Sequence, residues 1–227
     1  MRERLDGDDR IGVLCRNHRG FVEAVLAASR TGHDVVLLNT DFSGPQLGQV
    51  AEREGVALLI HDEEFDEAVD GASFGGRRVH AWRDREDGSF ETLDGFAETS
   101  PSALRSKRHS KVILMTSGTT GTPKGARHDL PVSAMLPVAL THMFRIPVRS
   151  GKPMVVAPPL FHVLGFAYMQ PGFMLGTPLV LFRRFEPKEI LDAIEQHQAA
   201  TLVAVPVMLQ RILAVPDGPR PASLHVV

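Results

Sequence analysis

The chain has 227 residues, which corresponds to one large domain or two small ones. A chain of this length buries roughly 70% of its unfolded surface, so it can build a core without disulfides or structural metal ions. Hydrophobic residues make up 43% and charged residues 23%, which excludes disordered, collagen-like and coiled-coil classes, and the net charge of −2 argues against a general nucleic-acid binder.

The charges are distributed unevenly along the chain. Residues 1–110 contain more acidic than basic side chains, whereas residues 111–227 contain 11 Lys and Arg against 6 Asp and Glu. A basic second half suits a phosphate-bearing ligand, although a solvated surface gives the same excess.

The N-terminal sequence and the single cysteine indicate a cytoplasmic protein. Cys15 lies in an apolar run, which predicts a buried thiol and allows no intrachain disulfide. The charged N-terminus lacks the apolar region of a secretory signal. Residues 153–182 contain no charged side chain, but prolines and glycines divide them, so we expect a buried strand, loop, helix and strand and no transmembrane segment.

The first part of the chain predicts two β–α–β units. A strand over residues 10–15 precedes a helix that Asn17 caps and Gly32 ends, and a second strand covers residues 35–38. Residues 43–46 form a capping box that begins a helix ending at Gly55, and residues 56–60 form a third strand.

Residues 61–110 are less regular. The acidic run 62–64 is interpreted as solvated, residues 78–82 as a strand and residues 83–89 as a polar loop. We find no chemistry in this region, and the histidines of the chain show no metal-ligand spacing.

The alternation of strands and helices resumes at residue 111. We predict strands over 111–115, 154–157, 179–182, 201–205 and 224–227, a helix over 132–144, and a helix with Pro187 in its first turn. The fold class is therefore α/β, with a mostly parallel sheet in α/β/α layers. Because the last strand has no covering element, we expect a piece of a larger protein, able to associate or form a homodimer through exposed edges.

A glycine-rich segment follows the strand at 111–115. Backbone N–H groups of glycines, hydroxyl groups and one mobile lysine can together surround a phosphate. The glycine spacing fits neither the Walker A motif nor the dinucleotide-binding fingerprint. The candidate phosphate-binding residues are Thr116, Ser117, Gly118, Thr119, Thr120, Gly121, Thr122, Pro123, Lys124 and Gly125.

This string, Thr-Ser-Gly-Thr-Thr-Gly-Thr-Pro-Lys-Gly, resembles the phosphate-binding signature of the adenylate-forming (AMP-binding) superfamily. Residues 27–32 followed by 36–40 resemble part of the strand-helix-strand unit that precedes that signature, and residues 158–165 (Pro-Pro-Leu-Phe-His-Val-Leu-Gly) resemble the family's acyl-pocket motif. The order and spacing of the three segments are similar to those of fatty-acyl-CoA synthetases, over nearly the whole chain.

The resemblance implies a reaction in two steps. ATP and a fatty acid give an acyl adenylate and pyrophosphate, and coenzyme A then displaces AMP. Because an anion must approach a polyanion, charge has to be neutralised by Mg²⁺, lysine and backbone dipoles. The resemblance implies that Lys124 neutralises the charge of the departing pyrophosphate. It also implies that Thr116 either binds Mg²⁺ directly or contacts one of the ligands of Mg²⁺.

The resemblance also assigns a role to His162. A lone histidine among apolar residues is by default a satisfied core residue, but in similar enzymes this position lines the route to the acyl pocket and orients the carboxylate. The candidate pocket residues are Phe161, His162, Val163, Leu164 and Gly165.

Several of the family's motifs are missing from these residues: the adenine and ribose motifs, the first elements, and the C-terminal domain with its lysine. We therefore expect residues 1–227 to be part of an N-terminal AMP-binding domain, inactive by itself. Two alternatives stay open. One is an aryl- or amino-acid adenylating ligase, although residues 158–176 offer no acid to hold an ammonium group. The other is a non-catalytic, truncated nucleotide- or acyl-binding homologue.

Overall fold

The computed structural model describes residues 5, 9–84, 92–93, 108–116, 124–127, 148–216, 218 and 221–227. The chain forms two compact units, Met1–His128 and Asp129–Val227. Both units are built on sheets whose strands are parallel, with one antiparallel pair in the first, so the predicted α/β class is confirmed.

The described part of the first unit contains a six-stranded sheet in the order β4-β3-β1-β2-β5-β6. Its strands are β1 (Arg10–Leu14), β2 (Asp34–Leu37), β3 (Val56–Asp62), β4 (Arg77–Trp82), β5 (Val112–Thr116) and β6 (Lys124–Arg127). The helices are α1 (Arg19–Thr31), α2 (Gly44–Arg53) and the short α3 (Asp66–Gly71), which a 3-10 turn at Glu63–Phe65 precedes.

The first unit has helices on both faces of its sheet. Val36 on β2 packs in one cluster with Leu47 and Val50 of α2 and Val69 of α3. Because successive strand residues point to opposite faces, Val35 and its neighbours on the other face need separate cover. Helix α1 contacts β1, β2 and β4 and covers this other face of the sheet. Strands buried on both faces explain the continuous apolar runs of the sequence.

The helix caps follow local rules, with one difference. Ser43 and Gln46 form the predicted capping box of α2, and Gly32 ends α1 at a φ of 81°, which favours glycine. The prediction that Asn17 caps α1 was wrong by one residue. His18 is the cap, and its Nδ1 accepts a hydrogen bond of 3.0 Å from the backbone N–H of Gly20.

The described part of the second unit contains a three-stranded parallel sheet in the order β8-β7-β9. Its strands are β7 (Met154–Val156), β8 (Leu179–Leu181) and β9 (Thr201–Val203), and its helices are α4 (Val163–Met174), α5 (Pro187–His197) and α6 (Pro206–Leu213). The predicted strand, loop, helix and strand over 153–182 are confirmed. Among the described residues, no helix has the length and apolar character needed to cross a membrane.

The second unit differs from the sequence-based prediction at two places within its described residues. Residues 224–227 do not form a full strand, since Val226 makes only an isolated bridge to Thr201. Helix α6 was not predicted at all. The predicted helix over 132–144 lies outside the described residues.

Candidate active site

Strands β5 and β6 form an antiparallel pair around the glycine-rich segment. The backbone register places Thr116 opposite Lys124 and Met115 opposite Gly125. The sequence reading had placed Lys124 and Gly125 in the loop, but they begin β6. Residues 117–123 lie outside the described part, so the predicted roles of Ser117, Gly118, Thr119, Thr120, Gly121, Thr122 and Pro123 stay predictions.

The sheet holds the start of this hairpin firmly. Strand β5 lies parallel to β2, and the side chains of Ile113 and Leu114 are buried. Asp34 adds a tie, because its Oδ1 accepts the backbone N–H of Lys111 at 3.0 Å. The chain therefore leaves β5 at Thr116 and enters β6 at Lys124 from a fixed base.

The second predicted segment begins helix α4. His162 is the cap residue of this helix and is exposed, whereas Phe161 is buried, and their ring centroids are 4.4 Å apart. The default reading of His162 as a core residue was therefore wrong. Its proposed contact with a carboxylate is a prediction that an exposed position allows.

Gly165 lies where the first turn of α4 meets the backbone before it. A Cβ atom at Gly165 would collide with the carbonyl oxygen of Pro159 and lie 3.0 Å from that of Pro158. Because neither atom is the end of a flexible side chain, only glycine fits here without a backbone shift. The structural reason for this motif glycine is thus close packing of the helix on the Pro-Pro segment.

Apolar residues lie on every side of helix α4, with Gln170 as an exposed polar residue. Phe166 and Met169 are buried and α4 packs on β7, whereas Val163 is 54% exposed and Leu164 is half-buried. Partial burial raises the pKa of Tyr168 above its ordinary value of 10.0. Among the candidate pocket residues, Phe161 and Gly165 are buried, His162 and Val163 are exposed, and Leu164 is half-buried.

The acidic run 62–64 is not solvated as a whole. Asp62 is fully buried and accepts two hydrogen bonds, from the backbone N–H of Arg16 at 2.9 Å and from His18 Nε2 at 2.7 Å. Glu64 pairs with the Arg16 guanidinium at 3.2 Å. The solvated interpretation was therefore wrong, since Asp62 ties the end of β3 to the start of α1.

A second polar cluster lies beside it. His61 on β3, His80 on β4 and Asp66 at the start of α3 have ligand atoms within 4.8 Å of one another. Burial lowers the pKa of His61 below its ordinary value of 6.5. The absence of metal-ligand spacing in the sequence was misleading here, because sheet pairing and a helix start bring the three residues together. The available signal was a histidine directly after the predicted strand 56–60 and another within the predicted strand 78–82.

The comparisons with known proteins agree with this architecture. The chain belongs to the AMP-binding enzyme family, since that family's model, described as AMP-binding enzyme, matches residues 2–227. Its relatives include 2-succinylbenzoate–CoA ligases, feruloyl-CoA synthases and a fatty acid–[acyl-carrier-protein] ligase.

Three similar proteins illustrate the match. The 2-succinylbenzoate–CoA ligase of Bacillus velezensis is 31% identical over 221 residues, covering 92% of this chain and 41% of the relative. Feruloyl-CoA synthase of an Amycolatopsis species is 31% identical over 212 residues, covering 92% of this chain and 40% of the relative.

The third is a solved structure, O-succinylbenzoate coenzyme A synthetase from Bacillus subtilis in complex with ATP and magnesium ion. It has 22% identity and a TM-score of 0.75, covering 95% of this chain and 55% of that chain. At that identity the likeness shows the fold alone. The chain spans less than half the length of the two curated relatives.

Proposed function

We propose that the intact protein is an ATP-dependent acid–thiol ligase of the AMP-forming type, in which residues 1–227 are part of the N-terminal AMP-binding domain. It activates a carboxylic acid as an acyl adenylate and transfers the acyl group to coenzyme A. The observation that carries the proposal is the hairpin base. A signature segment rich in glycines and hydroxyls stands between two residues that the sheet holds opposite each other, Thr116 and Lys124.

The residues at this base suit a triphosphate bound with Mg²⁺. The backbone N–H groups and the one lysine of segment 116–125 can donate hydrogen bonds to phosphate oxygens. Its hydroxyl oxygens are of the kind that bind Mg²⁺. Thr116 is proposed to bind Mg²⁺ directly or to contact one of the ligands of Mg²⁺. Lys124 is proposed as the group that neutralises the leaving pyrophosphate. Bound Mg²⁺ would supply further charge neutralisation to the phosphates.

The acid is proposed to be a fatty acid. Residues 161–165 precede and begin an apolar helix, and residues 153–182 carry no charged side chain that would pair with a second polar group of the substrate. Alkyl chains gain free energy from such surroundings in proportion to the apolar area that they bury.

An aromatic acid is the second candidate. The names of the two curated relatives, 2-succinylbenzoate–CoA ligase and feruloyl-CoA synthase, favour it. An aromatic ring also fits apolar surroundings, so the charge-free segment does not separate the two acids.

The test is pyrophosphate release by the intact protein. The protein is given ATP, Mg²⁺ and coenzyme A with fatty acids of several lengths, 2-succinylbenzoate, ferulate and an amino acid, each in a separate reaction. Release with a fatty acid supports the first candidate, and release only with aromatic acids replaces it with the second. Nucleotide binding without turnover of any acid would overturn the ligase proposal in favour of a binding module.

A further inference from the structure

Two histidines face each other across the edge pair of the first unit's sheet. His61 on β3 and His80 on β4 are Cα partners in the parallel register. Both are 2% exposed, and their ring centroids lie 4.7 Å apart at an angle of 76°. Two neighbouring imidazoles held this way by two strands form a rigid pair of nitrogen donors.

Asp66 completes the group from a third element. It is the first residue of α3, and its Oδ1 lies 2.8 Å from His80 Nε2 and 3.4 Å from His61 Nδ1. The Asp66 side chain is 37% exposed, whereas the imidazoles are almost completely buried. One carboxylate oxygen thus stands between two imidazole nitrogens and at the solvent side of the cluster.

Two of the three separations are close to those around a tetrahedral metal ion, and the third, between His61 Nδ1 and His80 Nε2, is within 4.8 Å and has to reach about 3.3 Å. Zinc bonds nitrogen and oxygen at about 2.0–2.1 Å, which places neighbouring ligand atoms about 3.3 Å apart. The Asp66–His61 separation of 3.4 Å already matches. The Asp66–His80 pair has to open by about half an ångström, and His61 Nδ1 has to give up its 3.2 Å contact with the carbonyl oxygen of Asp62.

We propose that His61, Asp66 and His80 form a site for a divalent transition-metal ion of the zinc type, with a solvent molecule as the fourth ligand. Two imidazoles and one carboxylate are a donor set that zinc and its first-row neighbours accept. The ion fastens the start of α3 to strand β4 and to its neighbour β3. This role is independent of the phosphate-binding segment and of the proposed ligase activity.

The neighbouring group of Cys15, His18 and Asp62 is a less suitable site. Both ring nitrogens of His18 are already used, since Nδ1 accepts from Gly20 and Nε2 donates to Asp62. The Cys15 thiol lies 3.6 Å from the carbonyl oxygen of Ile60. A metal ion would have to replace several hydrogen bonds in a completely buried place.

The test is a zinc titration followed by calorimetry. It uses intact protein from which a chelator has first removed any bound metal. We expect binding at micromolar zinc, with a rise in the melting temperature. Asp66→Asn keeps the size of a partly exposed side chain and removes its charge. It should weaken zinc binding by at least about 10–100-fold, as should His80→Gln. His197→Gln, which removes an exposed histidine at the end of α5, is the matched control and should leave the affinity unchanged.

Cobalt provides a second readout that needs no variant. Co²⁺ in the wild-type protein should give the intense visible absorption of a four-coordinate site without the near-ultraviolet band of a thiolate ligand. A thiolate band would assign the metal to the Cys15 group and overturn the proposal. So would the absence of zinc binding, or equal affinities of the wild type and Asp66→Asn, because the cluster would then be only a set of hydrogen bonds.

Discussion

Thr116 and Lys124 are Cα partners across β5 and β6, so the segment between them begins and ends at one place on the sheet. Residues directly opposite in an antiparallel pair have Cα atoms about 4.5–5.5 Å apart. The proposal that the residues between them bind phosphate rests on these two fixed ends and on the glycines and hydroxyl groups of the segment.

Removal of the Lys124 charge should slow the first half-reaction. Lys124→Ala in the intact protein is expected to lower ATP–pyrophosphate exchange by about 10²–10³-fold, because the leaving pyrophosphate loses a neutralising charge. Lys152→Ala, which removes an exposed lysine from the turn before β7, is the control. Equal exchange rates in the two variants would show that Lys124 does not act on the phosphates.

An added methyl group at Gly165 should destabilise the second unit. Gly165→Ala forces the start of α4 away from the carbonyl oxygen of Pro159, and we expect a loss of about 1–3 kcal/mol in the free energy of unfolding. Gly75→Ala is the control, since a Cβ there meets nothing within 4 Å. Urea unfolding measures both, and an unchanged Gly165→Ala protein would contradict the close packing.

The buried carboxylate of Asp62 should contribute strongly to stability. Asp62→Ala leaves the backbone N–H of Arg16 and the Nε2–H of His18 without their acceptor. The expected loss is about 3 kcal/mol in the free energy of unfolding. Glu67→Ala, an exposed acid on α3, should change it by less than about 0.5 kcal/mol. Both variants are measured by chemical denaturation. Equal effects of the two substitutions would indicate that Asp62 is solvated, as the sequence predicted.

Stability should fall below pH 6.5 because of His61. Burial lowers its pKa, with a smaller contribution from His80 and Arg78 in the same direction, and these outweigh the raising effect of the Asp62 carbonyl and of Asp66. Well above pH 6.5 the group is neutral in both states. As the pH falls through that value, the unfolded chain takes up a proton that the folded chain does not, so stability is lost.

The matched measurement compares the wild type with His61→Gln in the presence of a chelator. The wild type should lose more of its free energy of unfolding than the variant between about pH 7 and pH 5, by at most about 1.4 kcal/mol per pH unit. Parallel curves for the two proteins would mean that His61 is not the titrating group.

The features that the sequence predicted well depend on local rules. Each involves residues within one helical turn: the capping box at Ser43, the end of α1 at Gly32 and the start of α5 at Pro187. His18 replaced Asn17 as the cap because its ring, held by Asp62, accepts the same backbone hydrogen bond.

The features that it missed depend on contacts between distant residues. Asp62 is buried because Arg16 and His18, more than forty positions away, supply its donors. His61 and His80 meet only through the register of β3 and β4, which no spacing along the chain shows. Strand β6 has no apolar run, and it forms because β5 offers it a partner.

A structure of the intact protein with ATP and Mg²⁺ tests the central claim most directly. We expect the triphosphate to lie within residues 116–125, with Lys124 Nζ in contact with the β- or γ-phosphate. A triphosphate bound to other residues, with this segment making no contact to it, would contradict the account.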